Sequence, residues 1–194
     1  MLESLNKEWF LSVNAVPGTP DGLIELAKFC AQYTLYLIPA LLLALWFLGD
    51  KYNRNQALAC AITALVALGL GALCSKFYFH PRPFMIPLGH TWIFHAADTS
   101  FPSDHGTLFF SAGIALMLHR ARAAGGFLLV VSLFVAWSRV FLGVHFPFDM
   151  LGALLVAIIA NTLVFPVWEK YGGSATTLCE SVSNKLFFKF PLKG

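Results

Sequence analysis

The amino-acid sequence predicts an all-α integral membrane protein: a bundle of about five transmembrane helices, preceded by an N-terminal helix that is amphipathic or packed on the bundle. Three observations lead there. Hydrophobic residues make up 58% of the 194 positions and charged residues 12%, about half the charged share of an ordinary soluble domain. Mean hydropathy is +0.70. Apolar stretches recur at residues 23–48, 56–76, 105–119, 126–144 and 148–168, most of them near the ~20 residues a helix needs to cross a bilayer.

The opening segment differs in kind. Leu2, Leu5, Trp9 and Val13 recur at helical spacing, while Glu3, Lys7 and Glu8 fall off that face. Residues 1–16 therefore read as an interfacial helix or one docked on the bundle. The segment lacks the unbroken apolar run of a signal peptide, so insertion is expected to rely on an internal span. Pro17-Gly18-Thr19-Pro20 breaks it from the first span. The third span is the shortest, and its start is expected to extend into the polar loop before it. After Trp168 the composition turns mixed, with Lys185 and Lys189 among Phe187, Phe188 and Phe190. Residues 169–194 read as a cytoplasmic tail along the membrane surface. No repeat or linker divides the chain, and residues 1–194 read as one domain. Cys30, Cys60, Cys74 and Cys179 show no CxxC or zinc-type spacing and read as apolar filler. Trp9, Trp46, Trp92 and Trp168 suit interfacial belts.

Orientation follows from the distribution of Lys and Arg. Lys51, Arg54, Arg120, Arg122, Lys170, Lys185, Lys189 and Lys193 fall on one side of the expected spans. Lys7, Lys28, Lys76, Arg82 and Arg139 fall on the other. The first side is expected to be cytoplasmic, which puts the N-terminus and the long connection 80–104 outside. A net charge of +3 without a basic run or stripe gives no reason to expect a nucleic-acid partner.

Polar side chains are costly in a membrane and tend to be functional. Here they gather at one end of the expected bundle. Lys76 and Arg82 fall where the second span ends, Ser103, Asp104 and His105 where the third begins, Ser138 and Arg139 near the end of the fourth, and His145 and Asp149 around the start of the fifth. That set suits a polyanion that must be held, attacked and protonated. Arg82 and Arg139 match phosphate oxygens bidentately. Ser103 and Ser138 add hydroxyls, and the first turn after Pro102-Ser103 offers free backbone N–H groups to an anion. A neutral His145 nitrogen can attack phosphorus, with Asp149 four residues later fixing its tautomer across Pro147. His105 can protonate the leaving oxygen and later activate water. The cations already supply charge stabilisation, so no metal or other cofactor is expected. Asp104 reads as a cap or network member beside the phosphate ligands.

These residues resemble the signature of the type 2 phosphatidic acid phosphatase superfamily, which has three parts: K-x6-R-P, P-S-x-H and S-R-x5-H-x3-D. Pro102-Ser103-Asp104-His105 matches the second part. Ser138-Arg139, His145 and Asp149 match the third at full spacing. Lys76 precedes Arg82-Pro83 by one residue too few, which turns it by roughly 100° about a helix relative to the family lysine. The resemblance implies that His145 is the nucleophile, Asp149 its support and His105 the acid/base, with Arg82, Arg139, Lys76 and Ser103 on phosphate. Within the superfamily the chain is most similar to bacterial undecaprenyl diphosphate phosphatases of the bacitracin-resistance type. The similar stretches are His80-Pro81-Arg82-Pro83-Phe84, His95-Ala96-Ala97-Asp98, Ser100 through Thr107, and Ala136-Trp137-Ser138-Arg139-Val140 leading to Gly143-Val144-His145. That likeness implies a polyprenyl diphosphate lipid substrate. Dephosphorylation to undecaprenyl phosphate would recycle the lipid carrier of peptidoglycan synthesis at the outer face of a bacterial plasma membrane. A broader lipid phosphatase, acting on phosphatidylglycerol phosphate or phosphatidic acid, shares the same reacting residues. A transporter is the reading from a different class, but its sites tend to lie near the midplane, and this cluster lies at one end.

Other polar residues have plainer readings. His80, His90, His95 and Asp98 are expected to be loop polarity, His119 an interfacial residue, and Glu25 with Lys28 a surface pair three residues apart.

Overall fold

The apolar stretches fold as helices, and the residues between them supply caps and turns. The computed structural model describes residues 1–186. The C-terminal positions Phe187, Phe188, Lys189, Phe190 and Lys193, expected at the cytoplasmic surface, lie outside the described residues. The helices are α1 (Leu2–Val13), α2 (Asp21–Gln32), α3 (Leu37–Phe47), α4 (Lys51–Phe77), α5 (Asp104–Leu118), α6 (Arg122–Phe141) and α7 (Pro147–Leu186). Four stretches are long and apolar enough to cross a membrane: 21–47, α4, α6 and α7. The shorter apolar helix α5 has 15 residues. The chain is an all-α, multi-pass membrane bundle.

Helix α5 packs against α4, α6 and α7 and forms the centre. The facing positions are small: Ala112 and Ala115 on α5, Ala59, Cys60 and Ala67 on α4, and Ala153, Ala157 and Ala160 on α7 are all essentially inaccessible. Small residues let backbones approach closely, which is how helices associate where lipid competes for apolar surface. The large apolar side chains point outward instead. Leu65, Phe127, Leu133, Leu155 and Leu163 are exposed, on the surface that hydrocarbon would cover.

Three elements differ from expectation. The first span is broken between α2 and α3 by a 3-10 turn over Thr34–Tyr36. There the Thr34 hydroxyl donates to the Cys30 carbonyl (2.6 Å), and Pro39 has no N–H to continue the ladder. Helix α7 runs for 40 residues, ~60 Å at 1.5 Å per residue. Residues 169–186 thus continue the last span instead of lying apart along the surface. A polar face at Thr176, Glu180 and Ser183 explains this. Asn55 donates to Thr176 (2.9 Å), Arg54 sits 3.0 Å from Glu180, and Trp46 donates to Ser183 (3.4 Å). Helix α1, third, docks through Asn6 and Phe10, which are buried, while Leu2 and Trp9 of the expected apolar face are exposed. Just beyond it, Asn14 donates to the carbonyls of His90 (2.9 Å) and Phe141 (3.0 Å) and accepts from the His90 N–H (2.7 Å). The start of the chain, the outer connection 78–103 and the end of α6 are thereby tied together.

Candidate active site

The end of α6 and the start of α7 build the centre of the site. Gly143 adopts φ +82°, the left-handed region that glycine enters without a steric penalty. Its N–H donates to the Val140 carbonyl (3.0 Å) and the Val144 N–H to the Arg139 carbonyl (3.2 Å), the paired bonds of a Schellman ending. The chain reverses there and delivers His145 into the interior. A Cβ on Gly143 would collide with the His90 carbonyl. Helix α7 then starts at Pro147, where a missing N–H costs nothing. Asp149, two residues on, reaches back to accept from the Phe146 N–H (2.7 Å), the return half of a capping box. Asn6 of α1 accepts from the Phe148 N–H (3.0 Å) and satisfies another orphan donor of the same turn.

That capping places carboxylate and imidazole together. His145 Nδ1 lies 3.3 Å from Asp149 Oδ2. Asp149 is fully buried and His145 nearly so. The carboxylate only accepts, so the ring proton belongs on Nδ1 and the lone pair on Nε2. Burial, reinforced by the charges of Arg139 and Arg82, holds the His145 pKa down at about 4 against the pull of Asp149. The imidazole is therefore neutral at neutral pH, as a nucleophile must be. Ser100, also fully buried, donates its hydroxyl to Asp149 Oδ2 in a short hydrogen bond and lies 3.3 Å from His145 Nδ1.

Two guanidinium groups flank His145. Arg82 is held on every side: Nε and Nη2 to Asp98 Oδ1 (2.8 Å each), Nη2 to the Thr99 carbonyl (3.1 Å) and Nη1 to the Val144 carbonyl (2.9 Å). Nη1 also lies 3.1 Å from His145 Nε2, at the nitrogen that carries the lone pair. Arg139, in the last turn of α6, is buried, and its Nε and Nη2 have no hydrogen-bond partner among the described residues. Buried cationic donors without a partner are costly, and a bidentate oxyanion satisfies this pair.

The other expected residues are Ser103, His105, Ser138, Asp104 and Lys76. Ser103 caps α5, its hydroxyl accepting from the Gly106 N–H (3.3 Å), so the first turn of α5 starts beside Asp149, whose carbonyl accepts from the Ser103 N–H (3.3 Å). His105 follows on that turn and lies within electrostatic reach of Arg139, His145, His95 and Arg82. Ser138 is buried and donates to the Val135 carbonyl of its own helix (2.8 Å), a bond it must release to donate to phosphate. Asp104 and Lys76 are exposed. Lys76 lies in the last turn of α4 and makes no hydrogen bond or ion pair among the described residues. Asp104 and His105 stand at the polar end of a groove of about 400 Å³ whose walls are Leu35, Leu68, Ala72 and Leu108. Among the described residues no three His, Cys, Asp or Glu side chains converge as a metal site.

Sequence reasoning missed four contributors. Ser100 and His80 contact or face Asp149, Asp98 locks Arg82, and the His95 ring lies edge-on to His145 at 6.0 Å. Burial lowers the His95 pKa, and the Arg82 and Arg139 charges act in the same sense. All four lie in the connection 78–103, where polar residues look ordinary until the fold lays the segment over the α6–α7 turn. The stretches His95–Asp98 and Ser100–Thr107, singled out for their likeness to a family, were the available signal.

The PAP2 superfamily profile matches residues 56–172. The protein YbjG of Escherichia coli (strain K12) is 38% identical over 172 residues, covering 89% of this chain and 87% of YbjG. The undecaprenyl-diphosphatase BcrC of Bacillus subtilis (strain 168) is 35% identical over 185 residues, covering 94% of this chain and 95% of BcrC. Aquifex aeolicus LpxE shares the fold, with a TM-score of 0.66 at 21% identity over 84% of this chain and 95% of LpxE. So does a transmembrane PAP2-type phosphatidylglycerolphosphate phosphatase from Bacillus subtilis, with a TM-score of 0.60 at 19% identity over 87% of both chains.

Proposed function

The chain belongs to the PAP2 superfamily, and from that premise we propose that it removes the terminal phosphate of undecaprenyl diphosphate through a phosphohistidine at His145. The observation that carries the reading is the buried, neutral His145, held by Asp149 at Nδ1 and facing Arg82 with Nε2. Nε2 attacks the terminal phosphorus. The negative charge of the bound diphosphate favours the imidazolium form of His105, which enters the step protonated. The bond from phosphorus to the bridging oxygen breaks, and His105 gives that oxygen its proton, releasing undecaprenyl phosphate. Water then attacks the phosphohistidine, His105 takes the water's proton, and inorganic phosphate leaves. Arg82 and Arg139 hold the equatorial oxygens as charge builds on them, Ser103 and the first turn of α5 add N–H donors, and Asp149 supports the positive charge on the His145 ring.

Two features support a lipid substrate. The groove beside His105 is apolar along its walls and polar only at its catalytic end, which fits a long hydrocarbon whose head group alone meets the charged residues. BcrC, similar over nearly the whole chain, carries the name undecaprenyl-diphosphatase. The distribution of Lys and Arg supports an outward-facing site in a bacterial plasma membrane, where released diphosphate carrier is recycled for peptidoglycan synthesis. The same removal of free undecaprenyl diphosphate would confer resistance to bacitracin.

The test is phosphate release by the purified full chain in detergent, with undecaprenyl diphosphate and phosphatidylglycerol phosphate compared side by side. Faster turnover of the first is expected. Faster turnover of the second moves the substrate to the phospholipid, and release from neither overturns the reading. His145→Ala should abolish both release and an acid-labile phosphoenzyme. A reporter fused after Gly194 should read as cytoplasmic, and an extracytoplasmic signal would refute the outward-facing site.

A further inference from the structure

Behind Asp149, on the side away from His145, lies a second pocket of about 400 Å³ with Glu3, Asn6, His80 and Asp149 in its walls. The nucleophile does not use it, yet it holds a buried histidine. His80 Nδ1 lies 3.4 Å from Asp149 Oδ1, and His80 Nε2 lies 3.4 Å from Glu3 Oε2. Asp149 Oδ1 and His80 Nδ1 are both buried, and among the described residues neither has a hydrogen-bond partner, so the 3.4 Å approach is the one polar contact of each there. The ring is wedged against Phe146 (centroids 5.2 Å) and parallel to Tyr78 (6.1 Å, 9°). Its backbone is fixed as well: the His80 N–H donates to Thr99 Oγ1 (3.1 Å), and its carbonyl accepts from the Ser100 N–H (2.7 Å). Ser100 is the residue whose hydroxyl holds the other oxygen of Asp149.

From this geometry we infer that His80 is a positioning residue for the catalytic pair: Asp149 is shared by two imidazoles, His145 at Oδ2 and His80 at Oδ1, and Glu3 of the N-terminal helix holds the second imidazole in place. Three donors crowd Oδ2, and without His80 nothing polar would restrain Oδ1 or fix the plane of the carboxylate. Outer partners that orient a metal-bound histidine or carboxylate commonly matter by about 10- to 100-fold, and a carboxylate that orients a nucleophilic imidazole has the same need of a fixed plane. The inference also gives α1 a role: Glu3 orients His80 while Asn6 caps α7.

The charge on His80 matters too. Asp149 raises the His80 pKa more than burial lowers it, and Glu3 raises it further. The titratable groups facing the ring are Glu3 from α1, Asp149 from α7, His145 beyond Asp149, and Tyr78 on its own segment; Phe146 and Phe101 are apolar. A protonated His80 neutralises part of the Asp149 charge and so weakens its support of His145. As pH rises through the His80 pKa, above the ordinary 6.5, that support is restored and kcat should rise.

The inference rests on the phosphatase reading, so the experiment separates the two. Phosphate release is measured on undecaprenyl diphosphate and phosphatidylglycerol phosphate for wild type, His80→Ala, His80→Gln and Glu3→Gln, each with a kcat pH profile from 5 to 9. His80→Ala should lower kcat about 10- to 100-fold with KM within twofold, and by the same factor on every lipid that wild type turns over. His80→Gln, which keeps an N–H donor, should recover much of the rate and lose the rise above pH 6.5. Glu3→Gln should move that rise to lower pH. A His80→Ala kcat within twofold of wild type, a loss confined to KM or to one lipid, or a pH rise unchanged in both His80→Gln and Glu3→Gln overturns the inference. If His80→Ala does not fold, the pH profiles of the other two variants decide. Wild type that releases phosphate from neither lipid overturns the phosphatase reading instead.

Discussion

Asp149→Asn isolates the contribution of one charge. Asp149 Oδ2 faces three donors: the Phe146 N–H, the Ser100 hydroxyl and His145 Nδ1. An amide NH2 there would meet donors only, so the asparagine oxygen takes that place and the NH2 turns toward His80, which when neutral can accept at Nδ1 with its proton on Nε2 toward Glu3. The hydrogen bonds that cap α7 and hold the His145 tautomer survive, and what is lost is the negative charge. In the proposed phosphohistidine the ring of His145 would be positive 3.3 Å from that oxygen. At an effective dielectric of 20, a unit charge pair at that separation is worth about 5 kcal/mol, roughly a thousand- to ten-thousandfold in rate. The expected result is a fall in kcat of that size with little change in KM, read as phosphate release in detergent, and a melting temperature close to that of wild type. A loss below about tenfold would refute the role given to the Asp149 charge. A loss accompanied by unfolding would show that the capping account is wrong.

Three further outcomes are expected. Gly143→Ala forces a side chain into φ +82° and against the His90 carbonyl, so it should destabilise by about 1–3 kcal/mol. Gly126→Ala, where a Cβ meets open space on the same helix, should be neutral or mildly stabilising, and equal melting temperatures for the two variants would count against the Schellman ending. Glu180→Ala removes the carboxylate held by buried Arg54 at the opposite end of the bundle, and the loss should be on the order of 3 kcal/mol with kcat of the folded enzyme within twofold of wild type. His145 also sets a pH dependence of stability. Its folded pKa of about 4 lies below the ordinary 6.5, so between those values the unfolded chain binds the extra proton and stability falls as pH drops, by roughly 3 kcal/mol at pH 4. His80, whose pKa is raised, acts only above 6.5, outside that window. Wild type should therefore lose more melting temperature between pH 7 and pH 5 than His145→Phe does, and equal losses would contradict the burial argument.

Much was legible from residue order alone. Apolar length marked the spans, because a bilayer imposes a fixed thickness on any helix that crosses it. The residues proposed to react could be picked out because their spacings are local. His145 and Asp149 are four apart with a proline between, and Ser103 and His105 straddle a helix start, so a single turn of backbone already brings each pair together. The fourth span was expected to run to residue 144, and the left-handed turn at Gly143 instead ends α6 at Phe141.

Tertiary structure decided the rest. No local rule says that Ser100 and His80 from the outer connection meet opposite oxygens of a carboxylate on α7, or that Asn6 from the first helix caps the last. Those contacts join positions 49, 69 and 142 residues apart (149 − 100, 149 − 80 and 148 − 6). The buried contacts of α1 are Asn6 and Phe10, with Asn14 just past its end, and hydrophobic periodicity looks past asparagines. The polar stripe of residues 176–183 misled for the same reason. In a membrane bundle a polar residue marks either water or a buried partner, and only the neighbouring helix tells which. For Arg54 and Glu180 it was a partner, and for Arg139, buried with two donors unmet among the described residues, the proposed partner is the substrate phosphate.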